Sequence, residues 1–153
     1  MLDRDPTAGR SPWYALVEVN RMKGGAAGTL QAALEDAFAE NLVSDAVLAE
    51  SEADRMRMWA FREQMSEAQK PEGGSIKHDV SVPVAAVPEL IARASAAAER
   101  LIPGIRPVPF GHLGDGNIHF NFSQPVGADK ASYLARWDEL NALVHGITAE
   151  LGG

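Results

Sequence analysis

Two imidazoles, His112 and His119, bracket an Asp-Gly pair in the stretch GHLGDGNIH, residues 111–119. Asp-Gly between segments of strand-like composition is a strong hairpin signal, because a tight primed turn requires positive φ at its central positions. With Asp115 and Gly116 as the two turn residues, Gly114 faces Asn117, Leu113 faces Ile118 and His112 faces His119. Directly opposed side chains on one face have Cβ atoms about 4.5–5.5 Å apart. Two imidazoles so placed can converge on one divalent ion with bonds of about 2.0–2.1 Å. The same register puts Asn121 on that face. Two nitrogens do not complete a metal site, and the spacing fits equally well a pair of half-buried polar residues on a hairpin. Three side chains are candidates for a third ligand. Asp115 belongs to the turn and is expected to point away. Asp79 qualifies if its strand neighbours the hairpin. His145 lies just off the apolar stripe of the last helix and reads as a surface residue. Gly114 and Gly116 read as turn residues, since no helix N-terminus follows to help them cradle an anion.

A second group of residues could hold an acid. Arg62 and Ser66 are four apart, on one face of a helix expected over 52–70. Lys77 follows on SIKHDVSV, 75–82, where Ile76, His78, Val80 and Val82 alternate with Lys77, Asp79 and Ser81. If that strand shares a sheet with the hairpin, Lys77 points the same way as His119 and Asn121. Arginine offers a flat fork to a carboxylate and lysine a mobile point charge, so the pair suits a small organic acid. The neighbours of Arg62 three and four positions away (Met58, Trp59, Met65, Ser66) include no acid, and an ordinary solvated helix face stays open for it. His78, among apolar neighbours, reads as a core histidine.

The elements that must position these residues follow from periodicity. PWYALVEVN, 12–20, and DAVLAES, 45–51, read as strands, with a helix over 27–42 between them. The helix over 52–70 carries Met58, Phe61, Met65 and Ala68 as its stripe and is stopped by Pro71 and Gly73–Gly74. Pro88 suits the first turn of a helix over 87–102. PGIRPVP, 103–109, reads as a connection into the hairpin, IHFNF, 118–122, as a strand, and 129–151 as one long helix. The order is β-α-β-α-β-α-β-β-α. It predicts an α+β fold close to a ferredoxin-like sandwich, a mainly antiparallel sheet with helices on one face and an extra hairpin. Residues 1–11 read as a polar lead-in and 12–153 as one domain.

Composition narrows the functions. The 153 residues carry a formal charge of −7 with no basic block, which disfavours nucleic-acid and anionic-membrane roles. Cysteine is absent, which excludes disulfides, thiolate ligands and a cysteine nucleophile. No apolar run approaches the roughly 20 residues of a membrane span, and the N-terminus lacks the apolar core of a secretory signal. These features fit a cytoplasmic location.

The two motif-bearing stretches together resemble a family. KHDVSVP, 77–83, followed by PFGHLGDGNIHFNF, 109–122, is similar to the C-terminal domain of FAD-linked oxidases of the vanillyl-alcohol-oxidase superfamily, in the branch of D-2-hydroxyglutarate and D-lactate dehydrogenases and the glycolate oxidase flavin subunit. The resemblance covers nearly the whole chain. The H-L-G-D-G-N-x-H motif is its specific part; the helices are not specific. The resemblance implies that His112 and His119 are metal ligands, usually for zinc, and that Asn121 contacts substrate. It implies that Arg62 and Lys77 hold a substrate carboxylate. Ser66 stands where the family often has threonine, and the hydroxyl is kept.

The resemblance also implies a reaction. A separate N-terminal domain binds FAD, the C-terminal domain caps the flavin, and hydride passes from a small 2-hydroxy acid to the flavin; Arg62 with Lys77 suggests a diacid, with lactate and glycolate left open. The electron acceptor would be an electron-transfer flavoprotein or a quinone. The family motif S-x-S-A-E-H-G, with a third metal ligand and a proposed base, is expected after the last helix, and this sequence stops at AELGG, before it. The chain is therefore read as a truncated cap domain, inactive alone and without tight FAD binding. Two other readings stay open: a metal-binding or metallohydrolase module built on the hairpin, and a non-catalytic interaction domain.

Overall fold

The computed structural model describes residues 7–20 and 26–153, which divide into two compact units, Met1–Met65 and Ser66–Gly153. In the first unit, α1 spans Ala26–Ala39. It ends on Asn41 in the left-handed region (φ 58°), with the Leu42 amide donating to the Ala37 carbonyl at 2.9 Å. Asparagine tolerates that conformation, and the bond closes the last turn. Helix α2 spans Glu52–Glu63; its N-cap Ser51 accepts from the Asp54 amide at 3.1 Å. None of the described residues of this unit is buried.

Three expectations for this part of the chain are corrected. Segments 12–20 and 45–51 do not form strands; a strand needs a ladder partner, and neither segment has one among the described residues. Their apolar side chains Trp13, Val17 and Val47 stay exposed. The helix expected over 52–70 is broken at Gln64, and a single turn, α3, follows over Met65–Ala68. Arg62 and Ser66 therefore do not share one continuous helix face. The stripe through Met58, Phe61, Met65 and Ala68 is not buried, so nothing packs the helix into one piece.

The second unit holds the sheet and the core. Strands β1 (Ser75–Ser81), β2 (Arg106–His112) and β3 (Asn117–Ser123) form an antiparallel sheet in the order β1-β3-β2. Helix α4 (Val87–Leu101) connects β1 to β2, and the one-turn-and-a-half α5 (Lys130–Leu134) and α6 (Trp137–Glu150) follow β3. A β-α-β crossover with the hairpin strand inserted between its two strands is the ferredoxin-like arrangement, here over three strands. The α+β expectation thus holds: β1 and β3 are the strands expected over 75–82 and 118–122, and the two expected N-terminal strands are absent from the sheet among the described residues. The segment read as a connection, 103–109, supplies most of β2. Pro107 and Pro109 are tolerated there because β2 is an edge strand, and residues two apart turn the same missing N–H toward the open side. The long C-terminal helix breaks at Ala135–Arg136 into α5 and α6.

The core lies on one face of the sheet. Ile76, Val80, Ile118, Phe120 and Phe122 meet Leu90, Ala94 and Ala98 of α4 and Leu140 and Val144 of α6. Phe120 and Phe122 are fully buried with ring centroids 5.0 Å apart. The period-2 alternation that buries these residues turns their neighbours to the other face.

Candidate functional site

On that other face the ladder fixes which side chains meet. Lys77 lies opposite Asn121, Asp79 opposite His119 and Ser81 opposite Asn117. From β2, Phe110 lies opposite His119 and His112 opposite Asn117. Strand β1 does neighbour the hairpin, so Asp79 reaches His119: its Oδ2 is 3.5 Å from His119 Nδ1, and its Oδ1 accepts from Asn117 Nδ2 at 2.7 Å. A carboxylate on one ring nitrogen orients the imidazole and leaves the other nitrogen to face outward.

The expected register of the hairpin is corrected. His112 does not face His119, because the connection uses four residues rather than two. A single 3-10 turn over Leu113–Asp115 is followed by Gly116 at φ 73°. Three bonds hold it: Gly116 amide to the Leu113 carbonyl, Asn117 amide to Asp115 Oδ1 at 3.1 Å, and Val82 amide to the Gly116 carbonyl at 3.2 Å. Only glycine fits Gly116, since a Cβ there would stand 1.9 Å from the Val82 carbonyl oxygen. The register moves by two, and a shift of two preserves the face. His112 and His119 therefore still share the open face, diagonally, with ring centroids 6.3 Å apart and planes at 77°. Phe110 packs against His119 at 5.2 Å.

A cleft of about 240 Å³ opens on this face, lined by Ser66, Lys77, His78, Asp79, His119 and Asn121. It is smaller than the roughly 300 Å³ at which drug-sized ligand sites begin, which suits a small ligand. Of the residues proposed from sequence, Ser66, Lys77, His119 and Asn121 come together here. His112 lies beside His119 but outside the lining, and Arg62 belongs to α2 in the other unit. Asn121 is buried, and its amide donates to the side-chain oxygen of buried Gln69 at 3.2 Å. Sequence reasoning missed Gln69 and Phe110. Gln69 carries no periodic signal, whereas Phe110 was visible only as an aromatic beside the motif.

The remaining histidines lie on the core side. His78 is buried, with Nδ1 2.8 Å from the Phe120 carbonyl and Nε2 without a partner among the described residues. Burial holds its pKa below the usual imidazole value, partly opposed by the Phe120 carbonyl. His145 is exposed on α6, its ring 5.9 Å from His78, and is no neighbour of the His112–His119 pair. Asp115 is engaged in the turn. Among the described residues no group of three His, Asp or Glu side chains converges as a metal site. The two imidazoles of the open face thus supply fewer than the three protein ligands that a catalytic zinc takes.

The family described as FAD linked oxidases, C-terminal domain, matches residues 3–153. The chain belongs to this family. It is 32% identical over 139 residues to a D-2-hydroxyglutarate dehydrogenase of Xanthomonas citri pv. viticola, covering 91% of this chain and 29% of that protein. It is 30% identical over 142 residues to a D-2-hydroxyglutarate dehydrogenase of Stutzerimonas stutzeri, with 93% and 30% covered. A mitochondrial D-2-hydroxyglutarate dehydrogenase of Rattus norvegicus is 34% identical over 134 residues, with 83% and 24% covered. The chain spans less than a third of the length of each of these relatives. As a member of the FAD-linked oxidase family it presents its polar cleft on the sheet face opposite the helices α4 and α6. None of its described helices is long and apolar enough to cross a membrane.

Proposed function

We propose that this chain is the substrate-binding cap domain of a cytoplasmic FAD-dependent dehydrogenase that oxidises a D-2-hydroxy acid. The observation that carries the reading is the cleft in which Lys77, Ser66, Asn121 and the Asp79–His119 pair meet on the open sheet face. It is supported by membership of the FAD-linked oxidase family and by relatives named for D-2-hydroxyglutarate. In this reading Lys77 attracts the substrate carboxylate, and Ser66 and Asn121 orient it by hydrogen bonds. Arg62 is proposed as a second cation for the same carboxylate. Gln69 holds the Asn121 amide in place, so that its carbonyl oxygen remains for the ligand.

Bound FAD supplies the hydride acceptor, from a domain outside this chain. Phe110, His119 and His112 form an aromatic and imidazole wall that fits the side of the site facing such a ring system. His112 and His119 would hold a divalent cation, zinc, with a further ligand from outside the described residues, and the cation would polarise the substrate hydroxyl. Electrons would then pass to an electron-transfer flavoprotein or a quinone.

The test is anaerobic bleaching of the flavin in the full-length protein by D-2-hydroxyglutarate, D-lactate and glycolate. At least one should reduce the flavin, and Lys77→Ala should raise KM by about tenfold or more, the loss of one charge-assisted contact. A flavin indifferent to all three acids, or turnover unmoved by Lys77→Ala, overturns the proposal.

A further inference from the structure

A second hollow of about 190 Å³ adjoins the cleft, and Ser66 and Lys77 line both. Its wall differs in character. Asp79 lines the cleft, whereas the hollow is lined by Lys70, Lys77 and Lys130 together with Ser66, Gln69, Gly73 and Ser75 and no acid. Three amines around one space run against the charge of a chain whose formal net charge is −7.

Two of the three cations of this hollow are not spent on ion pairs among the described residues. Lys70 is bridged to Glu67 at 2.5 Å, but Lys77 and Lys130 have no carboxylate partner among the described residues. The acid next to Lys130 in sequence is already engaged: Asp129 Oδ1 accepts from the Ser132 amide at 2.9 Å and the Ser132 hydroxyl at 2.7 Å. Those bonds hold the Asp129 carboxyl below its usual range. The Lys130 stem is placed by the glycine pair that precedes β1, since a Cβ at Gly74 would come within 3.3 Å of its Cγ. Ser75 adds an independent sign. Its hydroxyl oxygen is buried and has no hydrogen-bond partner among the described residues. A buried polar group left in that state is costly, and an acceptor in the hollow would relieve it.

We propose that the hollow is an anion subsite for a second carboxylate, and that Lys130 is the residue that selects dicarboxylic over monocarboxylic 2-hydroxy acids. This rests on the functional reading above. A ligand spanning both spaces places its hydroxy acid end in the cleft and its far carboxylate between Lys77 and Lys130, with the Ser75 hydroxyl as a further donor. A monocarboxylic acid ends before the hollow and gains nothing from Lys130. Lys77, common to both spaces, serves either ligand, so only Lys130 separates them.

Two measurements test this. In the full-length flavoprotein, kcat/KM is compared for D-2-hydroxyglutarate and D-lactate in the parent, Lys130→Ala and Lys130→Arg. Lys130→Ala should lower the diacid-to-monoacid ratio about tenfold, mainly through KM, and Lys130→Arg should restore it. On the chain itself, amide resonances of Ser75, Lys77 and Lys130 are followed by NMR during titration with glutarate. They should shift in the parent and not in Lys130→Ala. A ratio that stays within about twofold in Lys130→Ala, or resonances of the hollow that ignore glutarate, overturns the subsite while leaving the hydroxy acid reading standing. A flavin that no hydroxy acid bleaches overturns the reading on which the subsite rests. Lys130 is exposed, so its replacement does not threaten the fold.

Discussion

The geometry of the histidine hairpin can be tested through its two glycines, which look alike in sequence and differ in structure. Gly116 sits at φ 73°, and a Cβ there would stand 1.9 Å from the Val82 carbonyl oxygen. An L-residue in that region costs roughly 1–2 kcal/mol in backbone strain. Relieving the contact pushes the hairpin away from Val82 and breaks the 3.2 Å bond from the Val82 amide to the Gly116 carbonyl. That loss adds about 0.5–1.5 kcal/mol. Gly116→Ala should therefore destabilise by about 2–3 kcal/mol. For a unit of fewer than a hundred residues, each kcal/mol moves Tm by about 4–8 °C, so a fall of about 10–20 °C is expected. Gly114 is the control. Its φ is not positive and nothing lies within 4 Å of its Cβ position. Gly114→Ala should leave Tm unchanged or raise it slightly, because alanine restricts the unfolded chain. The assay is thermal unfolding followed by circular dichroism on the chain and both variants. A Gly116→Ala melt within about 3 °C of the parent, or equal losses in the two variants, would refute the four-residue turn.

Other perturbations probe the core beneath the site. Phe120→Ala, at a fully buried position, should cost about 3–5 kcal/mol in urea unfolding; a loss under about 1 kcal/mol would mean that the sheet face is not packed as described. The Tyr133 hydroxyl donates to the Phe122 carbonyl at 2.8 Å, and Tyr133→Phe should cost about 1 kcal/mol. Burial pushes the Tyr133 phenol up to about 12 from an ordinary 10.0. The unfolded chain loses that proton first, so stability should fall between pH 10 and 12 in the parent and not in Tyr133→Phe. His78 has the reverse dependence. Its folded pKa lies below the ordinary 6.5, so as pH falls through 6.5 the unfolded chain takes up the proton first. The stability carried by the neutral ring is complete above that pH and drains away below it. Melting curves from pH 7.5 down to pH 5 should show this loss in the parent but not in His78→Leu; parallel curves would place His78 in water.

What sequence made legible was whatever depends on local period. The alternation of SIKHDVSV located β1 to within a residue and put Lys77 and Asp79 opposite the core. The apolar spacing of Leu90, Ile91, Ala94, Ala98 and Leu101 marks α4, and of these Leu90, Ala94 and Ala98 are buried while Ile91 and Leu101 are half-buried. Elements completed by a distant partner were not legible. PWYALVEVN has strand composition, but composition cannot supply the neighbouring strand that satisfies its backbone, and the described segment remains outside the sheet. The proline pair in RPVPFGH argued against a strand, when it argued only against a central one. The break at Gln64 has no glycine or proline to announce it; Gln64 caps α2 in ordinary right-handed geometry.

The candidate site divides along the same line, and the division explains why an error in the hairpin did no harm to the assignment of the face. Asp115–Gly116 as a two-residue turn and Leu113–Gly116 as a four-residue turn differ in register by two positions, and side chains on a strand repeat every two. His112 therefore lost His119 as its direct partner and kept it as its diagonal neighbour, 6.3 Å away on the open face. A slip of one would have sent His119 into the space that Phe120 occupies in the core. The vacated position opposite His119 on β2 went to Phe110, and on β1 Asp79 took the ring nitrogen. Residues outside the sheet obey no such parity. Gln69 comes to Asn121, and Lys130 to the hollow beside Lys77, through chain turns whose course no periodicity encodes. The part of the site legible in sequence is thus the sheet's contribution, Lys77 on the open face and the imidazole oriented by Asp79. The wall of the adjoining hollow is supplied by the segments before β1 and after β3, where the two glycines Gly73 and Gly74 and the short helix α5 bring the remaining lysines to one place.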